Sequence, residues 1–134
     1  MKGHARNMMT TPVVSVGPEA SLTEIARCLA IARIGGVPVV GADGRVEGFV
    51  SESDLLDALL ADRDPSTQAS ALMTRSVHSV NEFDRTEEVM ALLRQHRIHH
   101  LPVLRGGALV GMITPSDVIR FMVEQVLSEP PEVS

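Results

Sequence analysis

Two stretches of this 134-residue chain place a hydroxyl three residues ahead of an aspartate: Ser51-Glu52-Ser53-Asp54 and Thr114-Pro115-Ser116-Asp117. Each follows a glycine and two apolar residues, Gly48-Phe49-Val50 and Gly111-Met112-Ile113. The apolar run reads as a strand and the residues after it as a helix, so a hydroxyl and a carboxylate fall where strand hands over to helix. Polar groups there can bind a ligand's hydroxyls, and the unpaired amides of the first helical turn attract anions. The same spacing also caps a helix: the hydroxyl accepts from the first turn and the acid favours the N-terminus. Pro115 suits a first helical position. Capping accounts for the helix start, but not for the recurrence of the glycine and the apolar run before it.

A second group is histidine-rich. His96, His99 and His100 lie within five residues, which raises transition-metal ligation. His96 and His100 share a face only if the helix continues, and Leu101-Pro102 implies a strand instead. No cysteine accompanies them and no Glu or Asp lies between them, so metal binding is the lesser reading. His96 is expected to be a partly buried helix residue, and His4 and His78 look isolated. Cys28 is the only cysteine; its counterpart in the repeat described below is Leu92, which points to a packed, inert thiol. There is no phosphate-binding glycine-rich loop with Lys-Ser/Thr and no nucleophile elbow, so catalysis is not expected.

The elements that position these residues are duplicated. The two corners are 63 residues apart, and upstream of them the register is 64. Met9-Thr10 answers Met73-Thr74, and Val37-Pro38-Val39-Val40 answers Leu101-Pro102-Val103-Leu104. Leu55, Leu56, Leu59 and Leu60 answer Val118, Ile119, Met122 and Val123. One residue is lost where Ala42-Asp43-Gly44-Arg45 faces the shorter Gly106-Gly107, a turn where loss is cheap. After a polar lead-in over residues 1–8, the first copy reads as strand 13–16, helix from the Ser21-Leu22-Thr23-Glu24 capping box to Gly35-Gly36, strand 37–40, hairpin at Asp43-Gly44, strand 46–50 and helix 52–60. The second reads as strand 77–80, a helix opened by the box-like Asp84-Arg85-Thr86-Glu87 with Val89, Leu92, Leu93 and His96 on one face, strands 101–104 and 109–113, and a helix from Pro115 to about Leu127. The expectation is one compact α/β (α+β) module over 1–134: repeat one about 8–61, linker about 62–70, repeat two about 71–127, and a tail at 128–134. A copy of this size has a thin core, and two copies stacked sheet to sheet bury a shared one.

Together these residues resemble a tandem pair of CBS domains, named for cystathionine β-synthase. The resemblance spans about Met8 to Gln125. It rests on the Met-Thr opening, the apolar-Pro-Val segment and the Gly-x-x-Ser/Thr-x-x-Asp corner, each present twice and in order. It implies a regulatory module binding an adenosine-containing ligand such as AMP, ADP, ATP or S-adenosylmethionine, with no cofactor required. It further implies composite sites: Ser51 and Asp54 with His99 and His100, and Thr114 and Asp117 with Gly35 and Gly36. The opening segments, including Thr11 and Val13, and Val77 and His78, add walls for the base. On this resemblance the aspartates are expected to grip the ribose hydroxyls, a task suited to a carboxylate that accepts two hydrogen bonds. His99 and His100 could serve a phosphate, which would make the two clefts unequal. Pairs of this family commonly dimerise through the helices carrying Leu55–Leu60 and Val118–Val123, widened here by Phe121 and Val126, so a homodimer is expected. The rival expectation is a dimerisation or interaction module with vestigial clefts.

Composition bounds the partners. Lys+Arg 12 against Asp+Glu 17 gives a net charge of −5, with no Trp or Tyr and three Phe. That balance argues against nucleic acid as the main partner. No run approaches the ~20 apolar residues of a membrane span, and residues 1–6 lack the apolar stretch of a signal peptide. A cytoplasmic protein acting on an unidentified partner chain is expected.

Overall fold

Most of the apolar segments form regular elements. The computed structural model describes residues 2–125 and Leu127; the expected tail at 128–134 and the contribution of Val126 lie outside them. In chain order the elements are α1 (Ala5–Met8), α2 (Leu22–Ala32), β1 (Gly36–Val40), β2 (Val46–Ser51), α3 (Glu52–Leu60), α4 (Ala69–Leu72), β3 (Val80–Asn81), α5 (Thr86–His96), β4 (Leu101–Arg105), β5 (Ala108–Ile113) and α6 (Pro115–Gln125). This is the mixed α/β architecture of the duplicated pattern.

The chain divides into two compact units. One comprises Val14–Val77 with Gly107–Leu109, and the other Met1–Val13, His78–Gly106 and Val110–Ser134. Each has its own apolar cluster. Ile25, Val37, Val39, Val50, Leu55 and Ala69 belong to the first. Ala5, Met8, Val89, Leu101, Val103, Ile113 and Phe121 belong to the second. The N-terminal segment thus completes the unit built mainly from the second repeat, while residues 69–77 complete the first.

In the first unit β1 and β2 form an antiparallel pair with an irregularity at Val39/Val40. The expected strand at 13–16 is reduced to one parallel bridge, Val16 to Val39. In the second unit the order is β3-β4-β5, and β3, only Val80–Asn81, runs parallel to β4. Residues 13–15 and 77–79 make no ladder, because Pro12, Gly17 and the exposed Ser15 and Ser79 leave too little apolar alternation to hold a longer strand.

The helix ends depart from expectation in two places. Ser21 caps α2 as anticipated, its hydroxyl accepting from the Glu24 amide at 3.1 Å. The helix then closes at Arg33 in the left-handed region (φ 55°), not at Gly35-Gly36. Gly36 is instead the first residue of β1, where a Cβ would overlap the Phe49 ring, 2.7 Å from its Cζ, and lie 2.9 Å from the Val50 carbonyl oxygen. At α5 the expected box does not form: Arg85 is the N-cap and gives no side-chain cap, because the Asp84 carboxylate is taken by the Asn81 amide at 2.9 Å. The polar lead-in contains α1, whose Ala5 and Met8 are fully buried, and the end of the linker contains α4. These two short helices are counterparts at the same 64-residue register.

Candidate functional site

Each strand-to-helix corner is built by a glycine that lets another segment in. A Cβ on Gly111 would overlap the Met9 side chain, 2.7 Å from its Cγ, and one on Gly48 would lie 2.7 Å from the Met73 Cγ. Beside each methionine a threonine pairs with the corner strand through its backbone. Thr10 exchanges hydrogen bonds with Met112 (2.8 and 3.1 Å), and Thr74 with Phe49 (2.9 Å both ways). The Met-Thr opening and the corner glycine, separate marks of the repeat in the sequence, are therefore one packing unit.

The corner of the first unit is a reciprocal capping box. The Ser51 hydroxyl accepts from the Asp54 amide at 3.1 Å, and Asp54 Oδ2 accepts from the Ser51 amide at 3.0 Å. Asp54 is half-buried and its Oδ1 carries no hydrogen bond among the described residues. It lines an open groove of about 290 Å³ with Asp57, Ala58, Ala61, Arg63, Ala71 and Leu72. The capping role is thus real, yet it uses only one carboxylate oxygen.

The second corner is committed. Asp117 is 2% exposed. Its Oδ2 accepts from the Thr114 amide at 2.8 Å and the Thr114 hydroxyl at 3.0 Å. Its Oδ1 accepts from the Thr10 hydroxyl and pairs with the Arg120 guanidinium at 3.1 Å. Arg120 also donates to the Met8 carbonyl at 3.0 Å. Thr10 and Arg120 were not among the residues anticipated for the site. Thr10 was legible only as a mark of the repeat, whereas the three-residue step from Asp117 to Arg120 is a helix-surface ion-pair spacing visible in the sequence.

The remaining anticipated residues divide between the units. Gly35, Gly36, Ser51, Asp54 and Val77 belong to the first; Thr11, Val13, His78, His99, His100, Thr114 and Asp117 belong to the second. Thr11, His78 and His99 are exposed, and Val13, Val77 and His100 half-buried. His78 is not isolated: its ring stacks on that of His96, centroids 4.2 Å apart. His96 is exposed, where partial burial was expected, because it ends α5 beyond the apolar face of Val89, Leu92 and Leu93. His4 packs edge-on to Phe83. Among the described residues no three His, Cys, Asp or Glu side chains gather at metal-ligand spacing, and no helix is long and apolar enough to cross a membrane.

Glu82 ties α1 to the second unit. Its buried carboxylate takes a two-point contact from the exposed Arg105, Nε at 2.6 Å and Nη2 at 2.9 Å. Its backbone carbonyl accepts from the Arg6 amide at 2.9 Å. Hydrogen bonding from Arg105 outweighs burial and holds the Glu82 carboxyl below its ordinary value.

With fold and corners in hand, comparison with known proteins fixes the class. The CBS domain model matches residues 5–61 and 69–124: the chain belongs to the CBS-domain family and carries two copies. It is 29% identical over 125 residues to hypoxic response protein 1 of Mycobacterium tuberculosis, covering 92% of this chain and 87% of that protein. A crystal structure of Hypoxic Response Protein I with two coordinated zinc ions superposes with a TM-score of 0.78, over 88% of this chain and 98% of that one. The CBS-domain containing protein ATU1752 from Agrobacterium tumefaciens is 31% identical, with a TM-score of 0.74 over 87% and 91% of the two chains. CBSX2, solved in complex with AMP, is 26% identical, with a TM-score of 0.78 over 91% and 98%.

Proposed function

We propose that this chain is a regulatory module that binds an adenosine-containing ligand, with Asp54 accepting from the ribose hydroxyls, and that it signals through its own assembly or a partner chain. The observation that carries this reading is the half-used Asp54 carboxylate: one oxygen holds the corner in shape, the other makes no hydrogen bond among the described residues, and the residue lines an open groove. A vicinal diol is matched by such an acceptor, and a hydrogen bond to a charged group is among the stronger ones. The AMP complex of CBSX2 supports the ligand class. AMP, ADP, ATP and S-adenosylmethionine all carry the ribose that this contact needs, and the module requires no cofactor. The proposed role of this CBS-domain pair is regulation and not catalysis.

The test is a thermal-shift and calorimetric screen of AMP, ADP, ATP, S-adenosylmethionine and adenosine. A ligand at a hundred times its Kd raises folded-state stability by about 2.7 kcal/mol, a shift easily read. No shift with any of them at millimolar concentration ends the adenosyl reading.

A second reading, a dimerisation module, has its own support. Leu56, Leu59 and Leu60 on α3 are 54%, 50% and 76% exposed, beside a groove of about 740 Å³ along α2 and α3. Such a contiguous apolar surface marks an interaction face. The two readings are compatible: a homodimer is also how a ligand signal would leave the module.

A further inference from the structure

We infer that the Asp117 corner is a latch for the N-terminal segment, and that this leaves Asp54 as the one ribose-accepting aspartate in each chain. The inference rests on the adenosyl reading only for its second half.

The two corners share backbone geometry and differ in side chains. Thr10 and Thr74 pair identically with their strands, but the Thr10 hydroxyl donates to Asp117, whereas among the described residues the Thr74 hydroxyl makes no hydrogen bond to Asp54. The decisive difference is one position along the helix. Arg120 neutralises Asp117 and holds the Met8 carbonyl. Its counterpart in the repeat is Asp57, which can do neither. A buried carboxylate with an ion pair and three hydrogen-bond donors has no acceptor to offer unless those partners leave, and breaking such a network is costly. The partners also bind what would otherwise be a short, frayed end. α1 is only four residues long, too short to persist alone, and the Thr10 and Met8 contacts fix both its C-terminal flank and the strand-like residue after it. Asp117 thus fastens the first repeat's opening segment into the unit built mainly from the second.

The experiment has two arms. The first uses no ligand: hydrogen exchange of the backbone amides of residues 5–10 in the wild type, Thr10→Val and Arg120→Met. Thr10→Val removes the hydroxyl and keeps the shape, so the fold survives while the latch is lost. Exchange of the Met9 and Thr10 amides should accelerate about ten-fold in either variant while the β1–β2 amides are unchanged. Unchanged protection of Met9 and Thr10 in both variants overturns the latch. The second arm is calorimetric titration with AMP. One site per chain, lost in Asp54→Ala, is expected. Two sites per wild-type chain, or a single site that survives Asp54→Ala, overturns the assignment of Asp54. Absence of any AMP binding together with accelerated exchange would remove the adenosyl reading and keep the latch.

Discussion

At the residue scale, the two aspartates of one repeated motif make different contacts. Replacing Asp54 by Ala should weaken adenosyl-ligand affinity by about ten- to a hundred-fold, the cost of about 1.5–3 kcal/mol for a lost charged hydrogen bond. It should lower stability by only about 0.5–2 kcal/mol, the range for a helix cap. Calorimetric affinity and melting temperature on the same variant separate the two; an unchanged affinity returns the motif to capping alone. Glu82 carries a pH signature. Its folded carboxyl sits below the ordinary value because Arg105 donates to it. A carboxyl with a depressed folded pKa contributes stability above its unfolded pKa and loses it as pH falls through the folded one. The melting temperature should therefore fall below about pH 4.5, near the ordinary glutamate value. In Glu82→Gln it should start lower at neutral pH and fall less on acidification. Equal acid-induced losses in variant and wild type would mean that other carboxyls dominate.

At the element scale, the corner glycines and the opening methionines are complementary halves. A side chain at residue 111 meets Met9, and one at residue 48 meets Met73 and the Thr74 carbonyl oxygen at 2.8 Å. Gly111→Ala and Gly48→Ala should each destabilise by about 1–3 kcal/mol, the cost of overpacking. Pairing Gly111→Ala with Met9→Ala should recover part of the loss, because the cavity left by one receives the methyl of the other. Denaturant melts of the single and double variants give the coupling directly; strict additivity would show that the two do not share space. The helical period also sorts the leucines of α3: Leu55 is buried, while Leu56, Leu59 and Leu60 face out. The second strip divides in the same way. Val118 and Met122 are half-buried, and Ile119 and Val123 are exposed on α6.

At the scale of the whole molecule, these outward residues bear on assembly. Leu56, Leu59 and Ile119 are each at least half exposed, and covering such apolar surface is favourable at roughly 25 cal/mol per Å². The expected state is a homodimer at tens of micromolar. Leu59→Asp or Ile119→Asp should shift it to monomer without lowering the helix content, since neither residue is in a core cluster. Light scattering with circular dichroism reads both; a monomeric wild type would sink the dimer.

The duplication, the order of most elements and the place of the two corners are legible in the sequence alone. These follow from local periodicity and from pairs of residues that recur at a fixed spacing, such as Val37-Pro38-Val39 and Leu101-Pro102-Val103. It also held the capping box at Ser51 and Asp54, because a cap is made within four residues of chain. It did not reveal α1 and α4, whose four residues each are too few for a periodic signal. Nor did it separate Asp54 from Asp117, which occupy the same motif. Folding separates them, by bringing Thr10 to Asp117 across 107 residues of sequence and Arg120 to the carbonyl of Met8 across 112. Local pattern records which groups a residue could bind, whereas long-range packing selects which of them are within reach.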